Sequence, residues 1–338
     1  MHRPASNDSS LSEAPNTVIG SVHVDVPYLM GFEWHVRGMR MTDPLPVRSV
    51  LSGGHASRLR GRGLNFDEIR AYVPGDDIRH IDWKASMRLG RALIRAYTEE
   101  RDRPVTVVVD QRIGMHFGSR RAFKSVVAAE VAAMAVWMGF SNGDRVGGMA
   151  FDDASIVRVK SLRSRRNIAR LFGTVVTMNG QLCADSPARS NYRQLNDALG
   201  QLLHTSPHDH LIVIASDFAG ADEHTQALLR QLRTHNDVVA ALVYDPLWQH
   251  VQNPATLVVS EGLLQVELQI ERERVRVPVS EFFKGRTAQV AELLRRSNVP
   301  WLPVSTAEPA IDQIRHLLGA RRQSHAARRE PVHAGGGL

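Results

Sequence analysis

The feature that most constrains this chain is a repeated alternation of buried-type strands with helical stretches. VTVVVD (105–110), HLIVIASD (210–217) and DVVAALVYDP (237–246) are near-continuous aliphatic and β-branched runs. Runs of that kind suit a parallel sheet covered on both faces. DRVGGMAF (144–151) and SIVRVK (155–160) add two strands, joined by the turn residues Asp152 and Asp153. Helical stretches lie between them, from Ser119 to Phe140, Ser164 to Met178 and Tyr192 to Leu203. The second carries Ile168, Leu171, Phe172 and Val175 on one face and arginines on the other. Asp222 caps a further helix ending near His235, and a helix from Glu281 to Ser297, the strand VPWLPVS and a helix from Pro309 to Leu318 close the series. This rhythm predicts an α/β fold with a doubly wound, mostly parallel sheet.

The rhythm breaks twice. TLVVS, LLQVELQI and RVRVPV alternate at hairpin spacing and predict a β-meander inserted over residues 251–280. Ahead of the first strand, residues 53–103 place charges around the apolar positions Leu64, Phe66, Ile69, Tyr72, Ile78, Ile81 and Trp83. Gly61, Gly63 and the Pro74-Gly75 turn punctuate this stretch, and Asp76 and Asp77 follow the turn as backbone caps. It predicts a small β-rich subdomain over residues 46–103. The expected plan is therefore an N-terminal segment, 1–45, partly disordered, in which Val22, Val24 and Val26 alternate as a short strand does. The charged subdomain (46–103), the sheet (104–250), the meander (251–280) and the last helix–strand–helix (281–320) follow. A disordered basic tail occupies 321–338.

The run GRGLNFDEIRAYVPGDDIRHIDW, followed by Glu99-Glu100-Arg101 and a strand ending in Asp110, resembles the hallmark of the bacterial domain of unknown function 58 family. Members of that family resemble von Willebrand factor A domains and are often encoded beside MoxR-type AAA+ ATPases. The resemblance extends from about Pro46 to the helix near Leu318. It implies a von Willebrand A-like sheet in which the strands ending at Asp110 and Asp217 are neighbours. It also implies a MoxR-type ATPase and its client proteins as partners, but no reaction. The signature residues Arg60, Arg62, Asp67, Glu68, Arg70, Asp76, Asp77, Arg79, Asp82 and Trp83 are the expected interaction surface.

Asp110 and Asp217 each end a buried strand at its carboxyl edge, where a doubly wound sheet opens its ligand crevice. Two carboxylates converging there repel unless a cation lies between them. In von Willebrand A domains that cation is a metal, held by an Asp-x-Ser-x-Ser loop, a separate Thr and a distant Asp. Mg²⁺ asks for six oxygens in octahedral array. Here the loop reads Gln111-Arg112-Ile113-Gly114, so both serines are lost, and Arg193 stands about where the Thr would fall. The resemblance thus implies a degenerate metal-ion-dependent adhesion site of Asp110, Arg112, Gly114, Arg193 and Asp217, with only the two aspartates left for Mg²⁺. No cofactor is expected, because Arg112 can lie against both carboxylates as a built-in cation.

Three classes of function compete. Asp76, Asp77, His80 and Asp82 suggest a metal-dependent hydrolase, but catalytic carboxylates normally converge from separate elements. Arg70, Arg79 and Arg88 beside them favour ion pairs, and no phosphate loop, nucleophile elbow or zinc-helix motif is present. The net charge of +7 and the stretches RLRGRG, SLRSRRN and RRQSHAARR suggest a nucleic-acid-associated protein. Against it, four of those arginines sit in the tail and no basic strand is interleaved with aromatics. The remaining class, a non-catalytic adaptor for a MoxR-type ATPase in assembly or maturation of a larger complex, fits best. The single cysteine, Cys183, excludes an internal disulfide and suits the cytoplasm. The apolar stretch from Val126 holds Glu130 and is too short to span a bilayer. His204, His208 and His210 lack ligand spacing, and the tryptophans are core by pattern except Trp83, a candidate surface anchor.

Overall fold

The computed structural model describes residues 20–39, 64–73, 78–99, 103–183, 190–206, 208–249, 256–261, 264–269 and 273–326. The chain forms two compact units, Val50–Arg103 and a larger one that joins Met1–Ser49 to Pro104–Leu338.

The first helix, α1 (Val26–His35), shares only Val26 with the alternating run Val22, Val24 and Val26, and the first two of these lie ahead of it outside any strand. The Asp25 carboxylate accepts the Tyr28 amide at 2.7 Å and Pro27 lies in the first turn. Both are helix-start signals, and they begin the helix at the last of the three alternating valines. Leu29 and Phe32 are buried, whereas Trp34, expected in the core, is 64% exposed beneath the Arg37 guanidinium.

The smaller unit pairs β1 (Leu64–Ala71) with β2 (Leu93–Glu99) as an antiparallel hairpin, with a bulge between Phe66 and Glu68. Between the strands lie a 3₁₀ turn (Ile78–His80) and a short helix, α2 (Trp83–Leu89). Asp82 caps α2 by accepting the Ala85 amide at 3.0 Å, and Gly90, at φ 63°, ends it.

In the larger unit the chain runs through β3 (Val105–Asp110), α3 (Lys124–Ser141), β4 (Val146–Phe151), β5 (Ile156–Leu162), α4 (Arg165–Gly180), α5 (Gln194–Thr205), β6 (Leu211–Ser216), α6 (Glu223–His235), β7 (Asp237–Tyr244), β8 (Thr256–Glu261), β9 (Leu264–Gln269), α7 (Glu273–Arg296), β10 (Trp301–Ser305) and α8 (Ala310–Ala326). Six strands form one sheet in the order β5-β4-β3-β6-β7-β10, parallel except for the edge strand β5. Val105, Val107 and Val109 face a core built with α1, α3, α4 and α8, while Val108 faces one built with α5, α6 and α7. Gly148 is required in β4, because a Cβ there would stand 2.2 Å from the Val107 carbonyl oxygen on β3. Helix α3 is long and apolar enough to cross a membrane by length and composition, yet 83% of it is buried inside this unit.

Two expectations need correction. Only β8 and β9 pair; the third predicted strand of the meander, RVRVPV, is the start of α7. Val275, Val279 and Phe282 recur four and three residues apart, so that stretch satisfies a helical period as well as a strand's. At the other end α8 runs on to Ala326, past Leu318 and into the segment assigned to a disordered tail. Alanine and arginine there are good helix formers. The rest of that tail and the disorder expected over residues 1–16 lie outside the described residues.

Candidate functional site

The chain turns one way from β3 to β4 and the other way from β6 to β7, so the switch point of the sheet lies between β3 and β6. Asp110 ends β3 and Asp217 follows β6 at this point. Asp110 is fully buried, and all its contacts are donors. Its Oδ1 accepts the Arg112 amide and Nε, each at 3.0 Å. Its Oδ2 accepts Arg112 Nη2 at 2.7 Å and the Ser216 hydroxyl at 2.6 Å. The remaining arm of Arg112, Nη1, donates to the Ala219 carbonyl at 3.0 Å, and Nη2 lies 3.9 Å from Asp217 Oδ1. Lys124, at the start of α3, donates to Asp217 Oδ2 at 2.5 Å. The Ala219 amide donates to Asp217 Oδ1 at 2.9 Å.

The loops are held as firmly as the charges. Phe218 adopts the left-handed region (φ 52°), costly for a residue with a Cβ, and its amide donates to Ser216 Oγ. Asp153 accepts the amides of Ile113 and Asn191 at 2.6 and 2.7 Å. Burial alone would lower the Arg112 pKa, but the charge of Asp110, then those of Asp217 and Asp153, hold it above the ordinary arginine value. Burial likewise would raise the Asp217 pKa, yet Lys124 and Arg112 hold it below the usual carboxylate value.

Of the residues expected at this edge, Asp110, Arg112 and Asp217 converge, and Gly114 lines the same small cavity of about 10 Å³. Arg193 does not join them: it sits exposed ahead of α5, because the loop carrying it turns its backbone toward Asn191. Lys124, Ser216 and Ala219 were missed. Lys124 is 93 residues from Asp217, and its only sequence signal is its position just after the loop that follows β3. Among the described residues no group of three or more His, Cys, Asp or Glu is placed to hold a metal.

A second buried charge lies in α3. Glu130 accepts both Arg121 Nη1 and Nη2, at 3.0 and 2.7 Å, and the Tyr28 hydroxyl from α1 at 2.5 Å. Burial first, then the Glu130 charge, pushes the Tyr28 hydroxyl well above the usual tyrosine value.

In the smaller unit, Arg60, Arg62, Asp76 and Asp77 lie outside the described residues, and of Asp67, Glu68 and Arg70 only the strand backbone is described. Asp82 is buried at its cap, Arg79 is exposed, and Trp83 is 67% exposed.

Fold and site together define an α/β protein with a parallel-rich six-stranded sheet and a charge-filled carboxyl edge. The family model described as "Protein of unknown function DUF58" matches residues 68–289, and the chain belongs to that family. Uncharacterized proteins of Mycobacterium bovis and Mycobacterium tuberculosis are 25% identical over 293 residues, covering 86% of this chain and 90% of theirs. The conserved hypothetical protein BatB from Bacteroides thetaiotaomicron aligns over 65% of this chain and 98% of its own, at 9% identity and a TM-score of 0.40.

Proposed function

We propose that the protein is a non-catalytic, von Willebrand A-like interaction protein that works with a MoxR-type AAA+ ATPase in assembling or maturing a larger complex. The observation that carries this reading is the distribution of exposed apolar surface. Of ten large hydrophobic side chains exposed among the described residues, six belong to the smaller unit: Ile69, Val73, Ile78, Trp83, Met87 and Leu89. Trp83 and Met87 are four residues apart on α2 and so share one face. Residues 78–91 hold four exposed bases (Arg79, Lys84, Arg88, Arg91) and one acid, Asp82, whose carboxylate caps α2. An apolar face rimmed by bases suits a protein cleft with carboxylates around it. The ATPase itself enters from the family resemblance, and the von Willebrand A reading is supported by the pairing of β3 with β6.

Two observations weigh against the alternatives. Of the acids on which a hydrolase would rest, Asp82 is bonded to a helix end and so is not placed as a free catalytic acid, while Asp76 and Asp77 lie outside the described residues. Within SLRSRRN, Arg165 is bonded to Glu33 of α1, a structural use of one of its arginines.

The test is direct binding of the purified chain to a purified MoxR-type ATPase from the same genome. Wild type binds, and Trp83→Ala with Met87→Ala weakens binding at least tenfold, about 1.4 kcal/mol. Absence of binding by wild type removes the partner, and equal binding by the variant removes the docking face.

A further inference from the structure

The neighbours of the Arg112 guanidinium are oxygens: both carboxylate oxygens of Asp110, the Ala219 carbonyl and, further off, Asp217 Oδ1. The Phe151 ring lies 5.5 Å from its central carbon, but every polar contact is made to oxygen. A carboxylate pair supplemented by a carbonyl, with the Ser216 hydroxyl one hydrogen bond away, is the donor set of a hard divalent cation. Arg112 occupies its centre. Together with Lys124 it brings two positive charges against the two carboxylates it and Lys124 contact. A divalent ion has no place beside it, because the oxygens are already engaged and the adjoining cavity is only about 10 Å³. The residues present therefore do not fit a metal while the arginine is there.

We propose that Arg112 is the resident cation of this edge and that its removal uncovers a binding site for an oxygen-seeking divalent ion such as Mg²⁺ or Mn²⁺. The ligands of the uncovered site are Asp110, Asp217 and the Ala219 carbonyl. Lys124 stays beside Asp217 and keeps the affinity low, with a dissociation constant on the order of 1 mM. Serines at positions 112 and 114 add hydroxyl oxygens, and Gly114 accepts a side chain because a Cβ built there meets nothing within 4 Å.

The experiment compares wild-type full-length chain with the Arg112→Ser, Gly114→Ser double variant, by calorimetric titration with Mn²⁺ and by thermal midpoint with and without the ion. Wild type gives no binding heat, and its midpoint is indifferent to the ion. The double variant has a lower midpoint, which about 10 mM Mn²⁺ raises by roughly 3–6 °C. Wild-type protein that binds Mn²⁺ overturns the proposal. So does a variant that keeps the wild-type midpoint and ignores the metal, and so does a destabilised variant that no metal restores. Should the double variant aggregate, Arg112→Lys carries the test. It keeps the charge with fewer donors, and it is expected to fold with a lowered midpoint and still refuse Mn²⁺. Binding of Mn²⁺ by Arg112→Lys overturns the assignment.

Discussion

The two units treat polar and apolar groups in opposite ways. In the sheet unit Asp110, Arg112 and Glu130 are all buried, and each is matched by partners brought from distant parts of the chain. In the Val50–Arg103 unit Leu93 and Ile94 are buried, but six large apolar side chains among the described residues face outward instead. The sheet unit uses its charges to fix loop and helix positions inside a core that already supplies stability, since an unmatched buried charge would be costly. A two-stranded hairpin with one short helix has little core of its own. Its outward apolar residues add little to its own cohesion and remain available to another surface.

Glu130→Ala tests that contrast with the largest expected effect. It leaves Arg121 without its carboxylate and Tyr28 without its acceptor. The expected loss is about 3–5 kcal/mol, or roughly 10 °C in the calorimetric midpoint. A shift within about 1 °C would mean the buried charges of the sheet unit are not structural.

Asp222→Ala is the next step down. Asp222 and Thr225 form a reciprocal cap on α6, each accepting the other's amide, at 2.9 and 3.0 Å. Losing it is expected to cost about 1 kcal/mol, or some 2–4 °C. No shift at all would place α6 outside the cooperative unit.

A smaller effect depends on pH. His116 lies against Phe123 and the His23 ring, with its Nδ1 buried and unpartnered. Burial first, then the charge of His23, lowers its pKa below the ordinary value of 6.5. The folded chain thus binds fewer protons than the unfolded one between those two pKa values, and stability rises with pH across that window. The contribution is complete above 6.5 and is lost as pH falls toward the folded value. Midpoints measured from about pH 7.5 to 5.5 should decline, and His116→Phe should flatten that decline. An unchanged slope in the variant assigns the titration elsewhere, with His210, whose pKa is also lowered, the next residue to examine.

Trp83→Ala should do least to stability. Its side chain is mostly exposed, so a change within about 0.5 kcal/mol is expected. A large loss would show that Trp83 supports its own unit and would erase the contrast.

The sheet was legible because a strand buried on both faces must be apolar at every position, and VTVVVD meets that demand without reference to anything distant. The convergence of Asp110, Arg112 and Asp217 was expected only through the family resemblance, which made the strands ending at Asp110 and Asp217 neighbours; a doubly wound sheet then brings such neighbouring strand ends together. What escaped was of two kinds. Short segments such as the start of α1 and RVRVPV carry a pattern compatible with either period, and only caps or continuity decide between them. Partners such as Lys124 for Asp217 and Tyr28 for Glu130, 93 and 102 residues apart, have no local signature, because their pairing is a property of the finished packing.

The docking of α1 has a consequence for synthesis. It packs on α3, through Tyr28 to Glu130 and through the Trp137 indole to the Leu29 carbonyl, and on α4, through Glu33 to Arg165, and the whole smaller unit is encoded between it and both. At roughly 5–20 residues per second, the intervening hundred-odd residues take about 5–20 s to translate. The hairpin of the smaller unit can close within that interval, since its strands are near neighbours in sequence. Leu29 and Phe32 must wait as bare apolar surface until α3 emerges, so the growing chain is most prone to misassociation between the appearance of those two helices.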